Sequence, residues 1–319
     1  MTTDVLIPTY NHPDLLRHCL RAIEANTHTP YNVIISDDAS PDPEMQQLLD
    51  SLDHRYVVLR NAKQLGFPAN VNQAAFLSDA DYLCLLNQDT RVCVGWLDAL
   101  LDEMQDPEVG IVGCKLLYPR EKGAPWGGTI QHAGVATDGR GPFHIWRGLP
   151  SDYPPANERR EVNCVTFACA LIRKTLWDEL DGLDEGYVGG QFEDVDMCRR
   201  ARELGWKIVY TPECVVWHYE HGAGEEFVKK TAIRNRERLM AQWPDYPQDV
   251  HLFEKLDGSL SGLATFIHQI RSAAIHHCND FRRQMDHPLR LAGMTFDELP
   301  QVEKDWALEH AKRLKEVLK

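Results

Sequence analysis

The sequence lacks the features that mark several classes of protein. No stretch of its 319 residues approaches the roughly 18 consecutive apolar residues of a membrane-spanning helix, and none of its nine cysteines form a C-x-x-C pair. No G-x-G-x-x-G follows a predicted strand, which disfavours a dinucleotide-dependent dehydrogenase. Basic side chains are outnumbered, 34 against 48 acidic, and the net charge of −14 disfavours broad binding to nucleic acid.

The start of the chain and its cysteines predict the cellular setting. Asp4 opens an apolar strand directly, which leaves no room for a secretory signal peptide. The cysteines are odd in number, scattered and without metal-ligand spacing, as is typical of reduced thiols. We therefore expect a cytoplasmic protein. The spacing of its cysteines gives no indication of a zinc site.

The composition is that of a globular protein, with 43% hydrophobic and 26% charged residues. The length predicts one large domain or a domain with an appendage. The charge is uneven, because residues 1–225 carry 34 acidic and 19 basic side chains whereas residues 226–319 carry 14 and 15. An acidic first part is compatible with carboxylates gathered around a metal ion, and simple solubility is the alternative interpretation.

Short apolar runs alternate with amphipathic segments through the first hundred residues. The predicted strands are 4–8, 33–35, 56–59 and 82–86, and the predicted helices begin near 13, 43 and 68. This alternation predicts an α/β fold with a mainly parallel sheet, in which ligands bind beyond the carboxyl ends of the strands. The polar clusters that follow these strands should therefore converge on one crevice; they are 8–11, 37–42, 61–72 and 87–89.

The second half of the chain reads differently. Residues 115–161 are rich in glycine and proline and predict a long functional loop region. Strands are predicted at 162–172, 206–210 and 214–217, with a helix at 192–204 between them. Beyond residue 224 the periodicity is helical, and the predicted helices are 225–242, 259–284 and 302–318.

Two sets of motifs carry a family resemblance. The first is Pro8-Thr9-Tyr10-Asn11, Asp37-Asp38-Ala39-Ser40, the asparagines and Gly66-Phe67 of 61–72, and Asn87-Gln88-Asp89; the second is Asp181-Gly-Leu-Asp-Glu185, Glu193-Asp194-Val-Asp196 and His218. In this order the chain resembles family 2 glycosyltransferases with the GT-A fold over about residues 3–224. Segments 127–134 and 165–169 resemble the rhamnosyltransferase-like, cell-wall polysaccharide branch. The resemblance implies a GT-A catalytic domain at 1–224 and a helical C-terminal extension at 225–319.

The resemblance also implies where a nucleotide-sugar donor binds. The residues assigned to the donor are Pro8, Thr9, Tyr10, Asn11, Asp37, Asn72, Asn87 and Gln88. The carboxylate of Asp37 would accept the imide N–H of uracil or thymine, which cytosine lacks. A simple turn formed by Asp37, Asp38 and Ser40 after the second strand is the alternative.

A divalent metal ion is implied at the next strand end. Asp89 would bind Mn²⁺ or Mg²⁺ bridging the diphosphate, with His218 as a second ligand and His221 as the fallback. The usual Asp-x-Asp of the family is altered here, since Asn87 replaces the first acid and removes one charge. Without the motifs around it, Asp89 would read as a turn or helix-cap residue.

The Glu193-Asp194 pair supplies the candidate catalytic group. Asp194 would take the proton of the acceptor hydroxyl in an inverting transfer, and Glu193 would orient it. Asp196 points elsewhere on the predicted helix and reads as structural. The alternative is that all three acids only cap the helix and balance the arginines that follow.

The remaining assignments concern partners. Trp126, Gln131 and His132 are candidate contacts for a glycan acceptor, together with Trp146. The basic run at 229–238 would close over the diphosphate, touch an anionic membrane or form a solvated helix face. The apolar positions 267–275 predict a packing face for the extension, or for a homo-oligomer through the C-terminal helices.

Together these features predict a metal-dependent inverting glycosyltransferase. Its donor would be a UDP- or dTDP-sugar and its acceptor a hydroxyl of a glycan or glycoconjugate, with peripheral membrane contact at the inner face. The alternatives are a transferase acting on nucleic acid or protein and a non-catalytic nucleotide- or carbohydrate-binding module. A nucleotidyltransferase is disfavoured, because the 8–11 loop is not a glycine-rich basic phosphate loop.

Overall fold

The computed structural model describes residues 1–123, 126–138, 141–220 and 225–245. The chain divides into two compact units. The first comprises Met1–Leu116 and Glu158–Tyr246, and the second comprises Leu117–Asn157 together with Pro247–Lys319. The predicted helices at 259–284 and 302–318, the apolar face at 267–275 and His221 lie outside the described residues, so these predictions and the division of the chain at residue 225 stay predictions.

The first unit is an α/β structure built on one mixed sheet. Its strands are β1 (Thr3–Thr9), β2 (Asn32–Asp37), β3 (Tyr56–Arg60), β4 (Tyr82–Leu86), β5 (Thr90–Val92) and β6 (Val109–Leu117), followed after the second unit by β10 (Arg160–Glu161), β11 (Cys169–Arg173) and β12 (Lys207–His218). Its helices are α1 (Pro13–Asn26), α2 (Pro43–Ser51), α3 (Phe67–Phe76), α4 (Trp96–Glu103), α5 (Lys174–Glu179), α6 (Glu193–Glu203) and α7 (Glu225–Gln242).

The sheet has a parallel half that carries the crevice. Strands run in the order β10-β12-β6-β11-β4-β1-β2-β3, and β4, β1, β2 and β3 are mutually parallel. The register pairs Thr9 with Asp37 at the carboxyl ends of β1 and β2. The four predicted strands of the first hundred residues therefore end at one edge, as the alternation of strands and helices predicted.

Helix α1 illustrates why these segments fold where they do. Pro13 occupies the first helical turn, where its missing N–H costs nothing. Leu16, Cys19, Leu20 and Ile23 form its buried face, at the i, i+3, i+4, i+7 spacing of an amphipathic helix. This face packs in the same apolar cluster as β1 and β4, so the helix covers the sheet directly below the crevice.

The other half of the sheet is antiparallel and corrects two predictions. Residues 162–172 do not form one strand, because a turn at 167–168 precedes β11, which pairs antiparallel with β4 and β6. The two strands predicted at 206–210 and 214–217 are replaced by the single long strand β12, which begins at Lys207 and continues through Pro212. Strand β6 was not predicted, although all nine of its residues are buried.

The second unit contains short strands in the region predicted as loop. They are β7 (Ile130–His132), β8 (Val135–Asp138) and β9 (Gly141–His144), of which β8 and β9 form an antiparallel hairpin. Trp146 is fully buried and packs edge-on against Tyr153, with ring centroids 6.0 Å apart. Trp146 is thus a core residue of this unit. Packing in the core explains why a large apolar ring is present at this position, and contact with an acceptor sugar is not needed to explain it.

Among the described residues, no helix combines the length and apolarity that crossing a membrane requires.

Gly113 tests the packing between β6 and the segment that precedes β11. A Cβ added to Gly113 would lie 2.4–2.8 Å from three carbons of Val165, itself fully buried. We expect Gly113→Ala to lower the free energy of unfolding by about 1–3 kcal/mol, measured by urea denaturation.

Val165→Ala in the same background supplies the control, since it removes Cγ1 and Cγ2, two of the three colliding carbons. The double variant should lose less stability than the sum of the two single losses. Additive losses, or no loss in Gly113→Ala, would contradict the close packing of these residues.

Candidate active site

Gln88 joins the loops at the ends of β1 and β4. Its Oε1 accepts hydrogen bonds from the Thr9 hydroxyl and from Tyr10 N at 3.2 Å. Its Nε2 donates to Tyr10 O at 3.2 Å and to Asn11 O at 3.1 Å. The amide therefore fixes the predicted donor loop 8–11, while the ring of Tyr10 remains 38% exposed at its surface. Donor contacts by Pro8, Thr9, Tyr10, Asn11 and Gln88 stay predictions.

Asp37 and Asp38 build the neighbouring loop at the end of β2. Asp37 accepts from Ser40 N at 3.3 Å and from the Ser40 hydroxyl, while Ser40 Oγ accepts from Asn11 N at 2.7 Å. Asp38 accepts from the backbone N–H groups of Leu65 and Gly66 at 2.7 and 2.9 Å. The turn considered as the alternative for Asp37 is present, and base recognition by Asp37 stays a prediction.

The Asn72 side chain forms hydrogen bonds with the turn at 181–185. On α3 its side chain accepts from Leu183 N at 2.9 Å and donates to Leu183 O at 2.9 Å and to Glu185 at 3.1 Å. The residue lines an open cavity of about 800 Å³ together with the 181–185 turn. Asn72 thus ties α3 to that turn, and its predicted donor contact stays a prediction.

Asp89 and His218 come together through the pairing of β5 with β12. The register places His218 opposite Thr90, and Tyr219 N donates to Asp89 O at 3.0 Å. As a result, Nε2 of His218 lies 3.1 Å from Oδ1 of Asp89, and both side chains are largely buried. The two motifs, more than 120 residues apart in the sequence, therefore form one site.

The Asp89 and His218 pair fits a divalent cation. Two neighbouring ligands of an octahedral ion with bonds of about 2.1 Å lie about 3 Å apart, close to the observed separation of 3.1 Å. One carboxylate leaves the remaining positions of Mg²⁺ or Mn²⁺ for phosphate oxygens and water, and the imidazole nitrogen favours Mn²⁺. Asn87 is anchored by its backbone, with N donating to Ala168 O at 2.9 Å.

Asp194 lies in the first turn of α6. It is next to Thr166, Phe167 and Ala168, which include the turn before β11 and are called the 166–168 turn below. Its Oδ1 accepts from Val195 N at 2.8 Å, and Thr166 and Phe167 N also donate to the carboxylate. Burial raises the pKa of Asp194 to about 6, although these hydrogen bonds act to lower it. A carboxylate with a pKa near 6 is poised to accept a proton close to neutral pH.

Glu193 differs from its neighbour. Its side chain is buried, and its Oε2 has no hydrogen-bond partner among the described residues. Burial, and then the charge of Asp194, raise the pKa of Glu193 well above its usual range. Glu193 therefore holds its proton more firmly than Asp194, and Asp194 is the better candidate proton acceptor of the two.

Asp196 has a structural role. Its side chain is fully buried and binds Arg200 Nε at 2.8 Å, Gln242 Nε2 at 3.0 Å and Trp243 Nε1 at 2.9 Å. All of these contacts join α6 to itself or to the end of α7. The expectation that Asp196 is separate from the Glu193-Asp194 pair agrees with these contacts.

The 166–168 turn connects the two chemical groups, and sequence reasoning missed this role. Thr166 and Phe167 N donate to Asp194, and Ala168 O accepts from Asn87, two residues before Asp89. Asp194 and the Asp89–His218 pair are therefore linked through three consecutive residues. These three residues lie within the strand predicted at 162–172, so the sequence prediction gave no signal of this turn.

The acceptor candidates lie in the second unit. Trp126 packs against Tyr118 with ring centroids 5.2 Å apart. Gln131 and His132 are buried, and Nδ1 of His132 lies 2.7 Å from Nδ1 of His144. Direct contact of Gln131 or His132 with a sugar would require this unit to open, and acceptor binding by the three residues stays a prediction.

Four cysteines meet in the sheet although they are scattered in the sequence. Cys114, Cys169 and Cys214 have sulfur atoms within 4.8 Å of one another, and Cys84 interacts with Cys169. All four are fully buried in the apolar core, which raises the pKa of the Cys84, Cys114 and Cys214 thiols and favours neutral S–H groups. Metal ions bind thiolates, so these residues are best explained as core side chains.

Comparison with known proteins decides the family. Residues 4–181 match the model of glycosyl transferase family 2. The chain belongs to glycosyl transferase family 2. This confirms the resemblance inferred from the motifs at 8–11, 37–40 and 87–89.

Two relatives of this family 2 member are named for O-antigen biosynthesis and for rhamnosyl transfer. It is 34% identical over 228 residues to the O-antigen biosynthesis protein RfbC of Myxococcus xanthus, covering 68% of this chain and 17% of that protein. It is 27% identical over 259 residues to the N-acetylglucosaminyl-diphospho-decaprenol L-rhamnosyltransferase of Mycobacterium tuberculosis (strain ATCC 25618 / H37Rv), covering 73% and 82%. The chain thus spans less than a fifth of RfbC.

Solved structures confirm the GT-A fold. GalNAc-T7, crystallised with UDP, GalNAc and Mn²⁺, superposes with a TM-score of 0.60 at 14% identity, covering 92% of this chain and 55% of that one. TarS of S. aureus (residues 1–349) superposes with a TM-score of 0.50 at 12% identity, covering 91% and 92%. At these identities the similarity concerns the fold alone.

Removal of the imidazole tests the metal site. His218→Ala should weaken Mn²⁺ binding at least about tenfold, because one of the two protein ligands is lost. Mn²⁺ titration followed by the electron paramagnetic resonance signal of the free ion measures this, with and without UDP.

The exposed His54 provides a matched control, and His54→Ala should bind Mn²⁺ like the unmodified protein. Equal Mn²⁺ affinity in His218→Ala and the unmodified protein would remove His218 from the metal site.

Proposed function

We propose that this family 2 member transfers a sugar, with inversion, from a UDP- or dTDP-sugar to a hydroxyl of a glycan or glycoconjugate. The observation that carries the proposal is the connection of Asp89 and His218, 3.1 Å apart, to Asp194 through the 166–168 turn. A cation site and a proton acceptor held by one turn are what glycosyl transfer from a diphosphate requires. The relatives named for O-antigen and rhamnosyl transfer support the acceptor class.

The chain's own residues divide the chemistry between them. The acceptor oxygen bonds to the anomeric carbon, the bond from that carbon to the diphosphate breaks, and the hydroxyl proton passes to the Asp194 carboxylate. Asp89 and His218 would hold Mn²⁺ or Mg²⁺. A bound divalent ion neutralises the charge that develops on the leaving diphosphate.

Glu193 would assist by remaining protonated. A second ionised carboxylate beside Asp194 would raise the pKa of Asp194 further by repulsion. With Glu193 neutral, Asp194 keeps a pKa of about 6 and is mostly ionised at neutral pH. The two carboxyl groups would thus differ in protonation: Asp194 is ionised and accepts the proton, whereas Glu193 is neutral.

Nucleotide selectivity tests the donor assignment. UDP and dTDP should raise the thermal stability of the protein in the presence of Mn²⁺, by about 2.7 kcal/mol at a hundredfold excess over Kd. CDP should stabilise much less, because Asp37 accepts a proton that cytosine does not carry. Differential scanning fluorimetry measures the three shifts.

Equal shifts for UDP and CDP would contradict base recognition by Asp37. The absence of any shift with all three nucleotides would contradict the donor site as a whole.

The pH profile tests Asp194. Because the proton acceptor works in its deprotonated form, kcat/KM should rise with pH through about 6 and be about tenfold lower at pH 5 than on the plateau. Asp194→Asn should retain nucleotide binding and lose activity roughly 10²–10⁴-fold. Initial rates of nucleotide release from the donor sugar, with and without acceptor, give both results.

Asp79→Asn is the matched control, since Asp79 is exposed and should leave both the rate and the profile unchanged. Normal turnover by Asp194→Asn would reject Asp194 as the proton acceptor.

A further inference from the structure

Segment 182–192, which leads into Glu193 and Asp194, has little backbone support of its own. It contains no helix or strand, and Gly182, Gly189, Gly190 and Phe192 all have positive φ angles. Among these residues Phe192 has the least favourable backbone conformation, because a residue with a Cβ rarely adopts φ near 71°. A segment in this conformation keeps one shape only where other groups hold it.

Asn235, on α7, supplies such groups at two points of the segment. Its Nδ2 donates to Val188 O at 2.8 Å and to Gln191 O at 3.0 Å, and its Oδ1 accepts from Val188 N at 3.1 Å. The side chain is fully buried, so water does not compete for these bonds. Gln191 lies only three residues before Asp194.

Helix α7 is itself fixed beside this segment at two further places. At one, Arg238 pairs with Asp184 at 2.6 Å and lies over the ring of Tyr187, 5.4 Å from its centroid. Gly186 makes this approach possible, because a Cβ there would lie 2.4 Å from the Arg238 guanidinium carbon.

The second place is the end of the helix. Gln242 Nε2 and Trp243 Nε1 both donate to Asp196, which is fully buried on α6. Asn235 lies about one turn before the first of these anchored points, and the contacts of Arg238 and Gln242 hold α7 beside the segment and α6.

We propose that Asn235 is a positioning residue that holds segment 182–192 so that Asp194 faces the acceptor hydroxyl. The proposal rests on the proposed role of Asp194 as proton acceptor. It extends the functional unit to α7, beyond residues 4–181 that match the family model. Asn235 touches neither donor nor acceptor in this account and acts through the backbone of Val188 and Gln191.

The chemistry of the amide makes the proposal specific. A primary amide offers two donors and an acceptor on one short side chain, which matches two carbonyls and one N–H. Asn235→Asp has nearly the same shape but turns the donors into an acceptor that faces two carbonyl oxygens. The variant therefore breaks two of three bonds with little change in packed volume.

The test compares Asn235→Asp with Glu237→Gln, an exposed substitution on the same helix. Hydrogen exchange measured by mass spectrometry should rise at least tenfold in residues 185–195 of Asn235→Asp and remain unchanged in β1, β2 and β4. The Kd for UDP with Mn²⁺ should stay within twofold. The kcat should fall by about 10²-fold, the loss expected from a misplacement of about 1 Å at the reacting group.

Arg238→Ala provides a second, milder variant, because it removes the partly exposed pair with Asp184 and the contact with Tyr187 but leaves the three Asn235 bonds in place. It should show the same pattern with a smaller loss of kcat. Glu237→Gln should match the unmodified protein in every measurement.

Two outcomes would overturn the proposal. Exchange in residues 185–195 that is unchanged in Asn235→Asp would show that Asn235 does not hold the segment. Exchange raised throughout the first unit, with UDP affinity reduced in proportion to kcat, would show a general structural role. If the unmodified protein transfers no sugar from any UDP or dTDP donor, the proposed function fails, while the exchange data still decide whether Asn235 holds the segment.

Discussion

The antiparallel pairing of β5 with β12 is the constraint on which the candidate site depends. Strand β5 is only three residues long, yet its register sets His218 against Thr90 and so brings its imidazole to the carboxylate of Asp89. A slip of one residue would turn the imidazole to the other face of the strand and separate the two ligands. Backbone hydrogen bonds on both sides of the pairing, from Cys93 N to Val215 O at 3.1 Å and from Tyr219 N to Asp89 O at 3.0 Å, support this register.

Turns at the ends of this sheet position the residues proposed for catalysis. Gln88 closes the β1 loop onto the β4 loop, and the 166–168 turn connects Asn87 to Asp194. The burial that fixes Asp194 also raises its pKa to about 6, so the same packing that orders the group tunes its chemistry. Burial therefore both orders the Asp194 side chain and raises its pKa.

Much of this was predictable from sequence, for reasons that differ between elements. The parallel strands β1, β2, β3 and β4 are short apolar runs closed by polar loops, so periodicity was sufficient for this half of the fold. Motif order singled out Asp89, His218 and Asp194, whose roles stay predictions. The antiparallel half was predicted poorly, because β12 was predicted as two short strands and the apolar segment 162–172 was predicted as one strand although it contains a turn. The roles of Ala168 and Asn235 depend on contacts between residues far apart in sequence, which no local pattern records.

The central claim is that Asp89 and His218 bind the cation at the donor diphosphate, with Asp194 on the same crevice. A crystal structure with UDP and Mn²⁺, with anomalous diffraction collected at the manganese edge, tests it most directly. The account predicts one anomalous peak bonded to Asp89 Oδ1 and His218 Nε2 at about 2.0–2.2 Å and to the diphosphate. A peak elsewhere, or Asp89 and His218 still in direct contact at 3.1 Å without manganese between them and the diphosphate, would contradict it.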